Sequence, residues 1–152
     1  EIWDGDYRVD VDVRRSWDTD VDHDAIAIAD TLFDRLAGTV EQFFRIRVTR
    51  REGPGFLRYE RGGFYRCHRD IPDGATGADH RRVSVVLFLS TAGADPGPGR
   101  CVGGALRVHD GVEAYVDVLP RAGQVVAFPA ALLHEVRPVV AGTRDVVVDW
   151  FY

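Results

Sequence analysis

The eight residues Arg82-Val83-Ser84-Val85-Val86-Leu87-Phe88-Leu89 carry apolar side chains at both alternating sets of positions, interrupted only by Arg82 and Ser84. Side chains of a strand alternate between two faces, so this pattern needs apolar cover on both sides and belongs at the centre of a sheet. After the turn signal Gly53-Pro54-Gly55, further short apolar runs follow at 56–60, 104–109, 113–118, 124–128 and 144–151, separated by Gly- and Pro-containing connections. Short strands in that arrangement predict a mainly β chain built as a jelly roll or sandwich. Two connections stand out by length, 71–80 and 91–103, the second with the tip Asp95-Pro96-Gly97-Pro98-Gly99.

The first third of the chain reads differently. Tyr7-Arg8-Val9-Asp10-Val11-Asp12-Val13 alternates apolar and polar residues as a half-buried strand does. Between residues 19 and 46, Ile26, Ala29, Phe33, Leu36, Val40 and Phe44 recur every three or four residues and build one apolar face of a helix. Asp20, Asp22 and Asp24 stand where an N-cap and the helix dipole favour acids, a simpler reading than a cation site. Gly38 is a point where this helix is expected to bend or break.

A length of 152 residues, 45% of them hydrophobic, suits a single domain over 1–152, with 1–55 as strand and supporting helix and 56–152 as the β core. The formal charge of −5 argues against a nucleic-acid partner, whose phosphates need a basic face. No apolar run approaches a membrane span and no basic-then-apolar leader opens the chain, so a cytoplasmic protein is expected. A first residue other than Met is what a trimmed or processed chain would show. All 19 basic residues are Arg, which removes Schiff-base lysine chemistry and the P-loop lysine, and hints at a GC-rich, bacterial genome. Cys67 and Cys101 lack the spacing of a zinc knuckle or redox dithiol, and a disulfide between them is allowed but not required. Cys67 is expected to face the core, and His23 and His80 to be solvated. His109 before Asp110-Gly111 reads as a turn, not as a second site.

In Cys67-His68-Arg69-Asp70, His68 and Asp70 are two residues apart, so an extended backbone points both to one side and lets them hold one ion together. A firm site needs a third ligand, and His134 in Leu133-His134-Glu135-Val136 is the best candidate. Two imidazoles and one carboxylate on one side of a metal form the facial triad of non-haem Fe(II) oxygenases, with positions left open for a co-substrate and O2. Ten residues beyond His134, Arg144 lies in an apolar run with Val146, Val147, Val148 and Trp150. A guanidinium buried there needs an anion, and its fork suits a carboxylate.

The ordered set Tyr59-Glu60-Arg61-Gly62-Gly63-Phe64-Tyr65, His68-Arg69-Asp70, Gly103-Gly104, Pro120-Arg121-Ala122-Gly123, His134 through Pro138, Arg144 and Trp150 resembles the Fe(II)- and 2-oxoglutarate-dependent oxygenases, in their prolyl 4-hydroxylase-like branch. The resemblance implies a double-stranded β-helix with Fe(II) held by His68, Asp70 and His134, and 2-oxoglutarate as co-substrate with O2. It places Arg144, helped by Tyr59, on the distal carboxylate of 2-oxoglutarate, and Tyr65 on the rim of the site. Arg66 and Trp150 are further substrate-side candidates. Phe88 stands where some relatives carry a Tyr that bonds the co-substrate, so that contact is expected to be missing.

The activity implied is hydroxylation of an unactivated C–H bond, with release of succinate and CO2, on a prolyl or related residue of a peptide or protein or on a free amino acid. The other readings are an oxygenase tailoring a small-molecule natural product and a non-catalytic metal- or ligand-binding jelly roll. Asp70 speaks against halogenation, which needs the carboxylate's position for halide. The long connections at 71–80 and 91–103 are expected to choose the substrate. Arg58, Arg61, Arg66, Arg69, Arg81 and Arg82 cluster around the motif and would either steer an acidic substrate or line solvated strand edges.

Overall fold

A computed structural model of the chain describes residues 12–71 and 80–152. The strand expected at 7–13 therefore lies almost wholly outside the described residues, as does most of the connection 71–80. In chain order the elements are β1 (Arg14–Arg15), β2 (Trp17–Asp18), α1 (His23–Phe44), β3 (Gly55–Tyr59), β4 (Phe64–His68), β5 (Val83–Phe88), β6 (Thr91–Ala92), β7 (Arg100–Gly103), β8 (Leu106–His109), β9 (Tyr115–Val118), β10 (Val125–Pro129), β11 (His134–Val136), β12 (Val139–Gly142) and β13 (Arg144–Phe151). One five-stranded sheet has the order β1-β4-β11-β8-β9, a second the order β10-β5-β13-β3-β2, and a three-stranded sheet the order β12-β7-β6. No helix among the described residues is long and apolar enough to cross a membrane.

All six residues of β5 are buried, as its two-faced apolar pattern requires. Val86 and Phe88 point between the two large sheets, where they meet Tyr59, Leu106, Phe128, Val136 and Val146. Val83, Val85 and Leu87 point the other way and pack with Val147 and Phe151 against Ala29, Phe33 and Val40 of α1. Asp22 caps α1, its carboxylate accepting the Ala25 N–H at 2.8 Å. The helix runs unbroken through Gly38, because packing on the sheet outweighs the roughly 1 kcal/mol that a helical Gly costs. Ile26, expected on the apolar face, is 39% exposed because it lies beyond the edge of that contact.

The connection expected at 91–103 is not an open loop. It contains β6 and β7, and β7 pairs with β12 about forty residues later in the chain. Such long-range pairing leaves no local periodicity to read. Both cysteines are free.

Candidate active site

β4 ends at His68, and two residues later the Asp70 N–H donates to the Ala130 carbonyl at 3.0 Å, which holds the chain against the sheet end. His134 opens β11 and is the cross-strand partner of His68. His68, Asp70 and His134 thus converge, with one ligand atom from each lying within 4.8 Å of the others, and among the described residues no other group of His, Cys, Asp and Glu does so.

The hydrogen bonds of the two rings show what that cluster can hold. His68 Nδ1 lies 2.7 Å from the Arg66 carbonyl and His134 Nδ1 lies 2.9 Å from the Leu132 carbonyl. A carbonyl only accepts, so both rings carry a proton on Nδ1, and in the neutral ring Nε2 presents a lone pair. These Nε2 atoms face Asp70, at 3.5 Å from Oδ1 and 3.4 Å from Oδ2 respectively. Burial would push the Asp70 carboxyl up, but the imidazoles of His134 and His68 and the Ser84 hydroxyl outweigh it and hold it well below the usual carboxylate range. The carboxylate and the two Nε2 atoms need a positive centre among them, protons on the rings when no metal is bound or a metal shared by all three, and the N/N/O donor set suits iron.

Asp70 is itself oriented. Its Oδ2 accepts from Ser84 Oγ at 2.6 Å and from Trp150 Nε1 at 2.8 Å. Ser84 and Trp150 are register partners on β5 and β13, so adjacent strands supply both donors. Oδ1 is left as the oxygen free to meet a metal. Trp150, expected on the substrate side, thus contacts the carboxylate, and Ser84 was signalled only as the polar residue within an apolar strand.

Arg144 begins β13 opposite Tyr59 on β3 and is 1% exposed. Its Nε donates to the Gly104 carbonyl at 2.8 Å, while Nη1 is buried without a partner. Its guanidinium carbon lies 4.9 Å from the Tyr59 ring centre and 5.3 Å from that of Phe88. Burial pushes the Arg144 guanidinium down, and among the described residues no carboxylate is paired with it. Gly104 makes the approach possible: its φ is +71°, and a Cβ there would meet Arg144 Cδ at 2.9 Å. Arg144 and the His-Asp-His cluster line one cavity of about 140 Å³, with apolar walls from Leu57, Val86, Leu106, Phe128, Val136 and Val146.

Tyr65 and His68, three residues apart on one strand, stack with ring centres 3.6 Å apart and planes 17° from parallel. Strict alternation would place them on opposite faces. The register shifts between the pairs His134–His68 and Val136–Tyr65, so β4 carries one extra residue there, a bulge that turns Tyr65 and His68 to the same side. One expectation is corrected, since Cys67 is exposed and not in the core, while Arg66, a substrate-side candidate, is exposed and is not among the described residues that line the cavity. His80, expected in solvent, is half-buried, and its Nδ1 has no partner among the described residues. Of the arginines near the motif, Arg58 pairs with Asp145, Arg81 pairs with Glu52 while lining the cavity, and Arg69 donates to the Ala131 carbonyl. Arg14 also lines the cavity, brought there by the β1–β4 pairing, and no local pattern in the sequence marks it.

Comparison with known proteins agrees with this geometry. Residues 54–152 match the family described as the 2OG-Fe(II) oxygenase superfamily. A PKHD-type hydroxylase of Stenotrophomonas maltophilia is 37% identical over 100 residues, covering 64% of this chain and 41% of the relative, so the chain spans about two fifths of that relative's length. The crystal structure of a Pseudomonas putida prolyl-4-hydroxylase superposes with a TM-score of 0.70 at 29% identity, covering 92% of this chain and 73% of the other. The fold also recurs, with a TM-score of 0.71 at 21% identity over 91% and 79% of the two chains, in the viral collagen prolyl hydroxylase of Paramecium Bursaria Chlorella virus-1 in its 2OG complex. Its two large sheets are those of the prolyl 4-hydroxylase-like double-stranded β-helix, and the chain belongs to the 2OG-Fe(II) oxygenase superfamily.

Proposed function

We propose that this chain is an oxygenase domain that hydroxylates an unactivated C–H bond, with 2-oxoglutarate oxidised to succinate and CO2 in the same turnover. The observation that carries the reading is Arg144, a buried cation with no anion among the described residues, opening into the cavity that also holds the His-Asp-His cluster. A dicarboxylate lying between the two satisfies both. The substrate class proposed is a prolyl or related residue in a peptide or protein, or a free amino acid, and the prolyl hydroxylases among the similar structures support the first of these.

In this reading His68, Asp70 and His134 hold Fe(II) through Nε2, Oδ1 and Nε2. Fe(II) supplies the redox chemistry that activates O2 against the keto acid. The protein's own groups do the rest. Ser84 and Trp150 occupy Oδ2, so Asp70 presents one oxygen and the remaining positions stay open. Arg144 clamps the distal carboxylate of 2-oxoglutarate with its free guanidinium edge, and Tyr59 packs beside it. Phe88 and Val146 keep water from the clamp, where charge pairing is strongest when dry. Tyr65 covers His68 on the substrate side.

A non-catalytic jelly roll has no use for an unpaired buried arginine facing a metal cluster, and a natural-product tailoring enzyme would differ only in its substrate. Anaerobic Fe(II) and 2-oxoglutarate should give a visible charge-transfer band, and aerobic turnover should release succinate. His68→Ala, Asp70→Ala and His134→Ala should each abolish the band. Retention of the band in all three variants, or zinc held in a closed four-ligand site with no keto-acid binding, would overturn the assignment.

A further inference from the structure

Among the described residues three arginines line the cavity, namely Arg14, Arg81 and Arg144, against one acid, Asp70. Their surroundings differ. Arg81 is neutralised by Glu52, which accepts from its Nε at 2.8 Å and its Nη2 at 2.5 Å, and its guanidinium lies 3.8 Å from the Trp150 ring centre. In the function proposed above, Arg144 is neutralised by one carboxylate of 2-oxoglutarate. The other carboxylate and Asp70 together balance the two charges of Fe(II). Among the described residues that line the cavity, Arg14 is the cation whose acid, Asp18, lies out in solvent.

Arg14 is held in place on more than one side. Its Nε donates to Ser16 Oγ at 2.5 Å, and its side chain is 14% exposed. Its ion-pair partner Asp18 is 75% exposed and 3.5 Å away, so water screens that pair. Its guanidinium lies 5.4 Å from the centre of the Tyr65 ring, which stacks on His68. Backbone pairing of Arg14 with Tyr65 across β1 and β4 sets the position of the whole stack. Arg14 thus lines the cavity from the sheet that carries β4, whereas Arg144 enters it from β13 in the other large sheet.

We infer that Arg14 is a specificity-determining residue and that the substrate carries a carboxylate beside the C–H bond to be oxidised. This rests on the oxygenase reading and refines it. A carboxylate completes the charge balance of the loaded cavity, and a guanidinium pre-set by Ser16 and Tyr65 loses little freedom in binding it. The carboxylate has two sources: the α-carboxylate of a free amino acid, or an acidic side chain adjacent to the reacting residue of a peptide.

Two acid–amide pairs separate the sources when titrated calorimetrically into the anaerobic protein loaded with Fe(II) and 2-oxoglutarate. The first is L-proline against L-prolinamide, and the second is acetyl-Asp-Pro-amide against acetyl-Asn-Pro-amide. In one of the pairs the acid should bind roughly ten- to a hundredfold more tightly, the range of a charged hydrogen-bonded contact. Arg14→Gln should erase that preference, Arg14→Lys should keep part of it, and both should bind 2-oxoglutarate as the unsubstituted protein does. Equal binding of acid and amide in both pairs, absence of binding by either acid, or a preference that survives Arg14→Gln would each overturn the inference. If Arg14→Gln does not fold, the acid-over-amide ratio of the unsubstituted protein still decides. A protein that fails to bind 2-oxoglutarate at all refutes the oxygenase reading instead, and the 2-oxoglutarate titration reports that separately.

Discussion

Two arginines are buried against β13, and they sit in opposite electrostatic worlds. On the helix side, the Arg51 side chain is 10% exposed and meets three acids: Asp149 of β13, Asp30 Oδ1 at 2.5 Å and Asp34 Oδ1 at 2.8 Å. Asp149 is fully buried, and its Oδ1 also accepts from the Gly53 N–H at 3.0 Å. Burial alone would push Arg51 down, yet hydrogen bonds to Asp30 and Asp34 and the charge of Asp149 raise it overall. On the inner side, Arg144 is more deeply buried, has one carbonyl partner and no acid among the described residues, and is pushed down. A buried cation surrounded by acids fastens the helix to the sheet. One without an acid among the described residues leaves its charge for another molecule to complete, the role proposed above for 2-oxoglutarate.

The comparison is broken or sharpened most strongly at the two arginines themselves. Arg144→Met keeps the side-chain bulk and removes the charge. It should weaken 2-oxoglutarate binding by roughly two to four orders of magnitude, from the 3–5 kcal/mol usual for breaking a buried pair. Arg144→Lys should recover part of that loss, because a point charge replaces a fork. Denaturant unfolding of the ligand-free Arg144→Met protein should show no loss of stability. A stability loss as large as the binding loss would mean that Arg144 has a structural partner after all.

Arg51→Ala should do the reverse. It leaves Asp149 buried and unpaired, so unfolding free energy should fall by about 3–5 kcal/mol. Affinity for 2-oxoglutarate in the protein that remains folded should hold, and an equal fall in both quantities would erase the distinction drawn between the two faces.

A smaller effect tests how β13 serves the metal. Trp150→Phe removes the indole N–H from Asp70 Oδ2 and should weaken Fe(II) binding about 10- to 100-fold, the usual cost of losing a partner that orients a metal ligand. Unchanged metal affinity in Trp150→Phe would show that Ser84 alone suffices to orient the carboxylate. The smallest effect lies on the helix. Gly38 has no atom within 4 Å of a built Cβ, so Gly38→Ala should add about 0.5–1 kcal/mol to stability. It should leave co-substrate binding untouched, which a parallel titration checks.

How much of this was legible beforehand depended on how local each signal is. His68 and Asp70 were readable as a pair because they are two residues apart, and Asp22 was readable as a helix cap for the same kind of reason, a contact within one turn. Arg144 stood out as a cation in an apolar run. The stacking of Tyr65 on His68 was not legible, since a bulge overrides alternation and no residue type announces it. The pairing of β7 with β12 and the placement of Arg14 beside Tyr65 join segments about forty and fifty residues apart.

By itself, then, the sequence determined the β-rich class, the buried central strand, the supporting helix and the identity of the residues able to hold a metal and a carboxylate. Those follow from side-chain chemistry and from spacing within a single element, where geometry is set by the backbone repeat. Only the tertiary structure decided which oxygen of Asp70 accepts from Ser84 and Trp150, which of two arginines lacks an acid among the described residues, and which cations line the cavity. These depend on strand register and on what lies across the core, where one extra residue in β4 changes the face of every side chain beyond it.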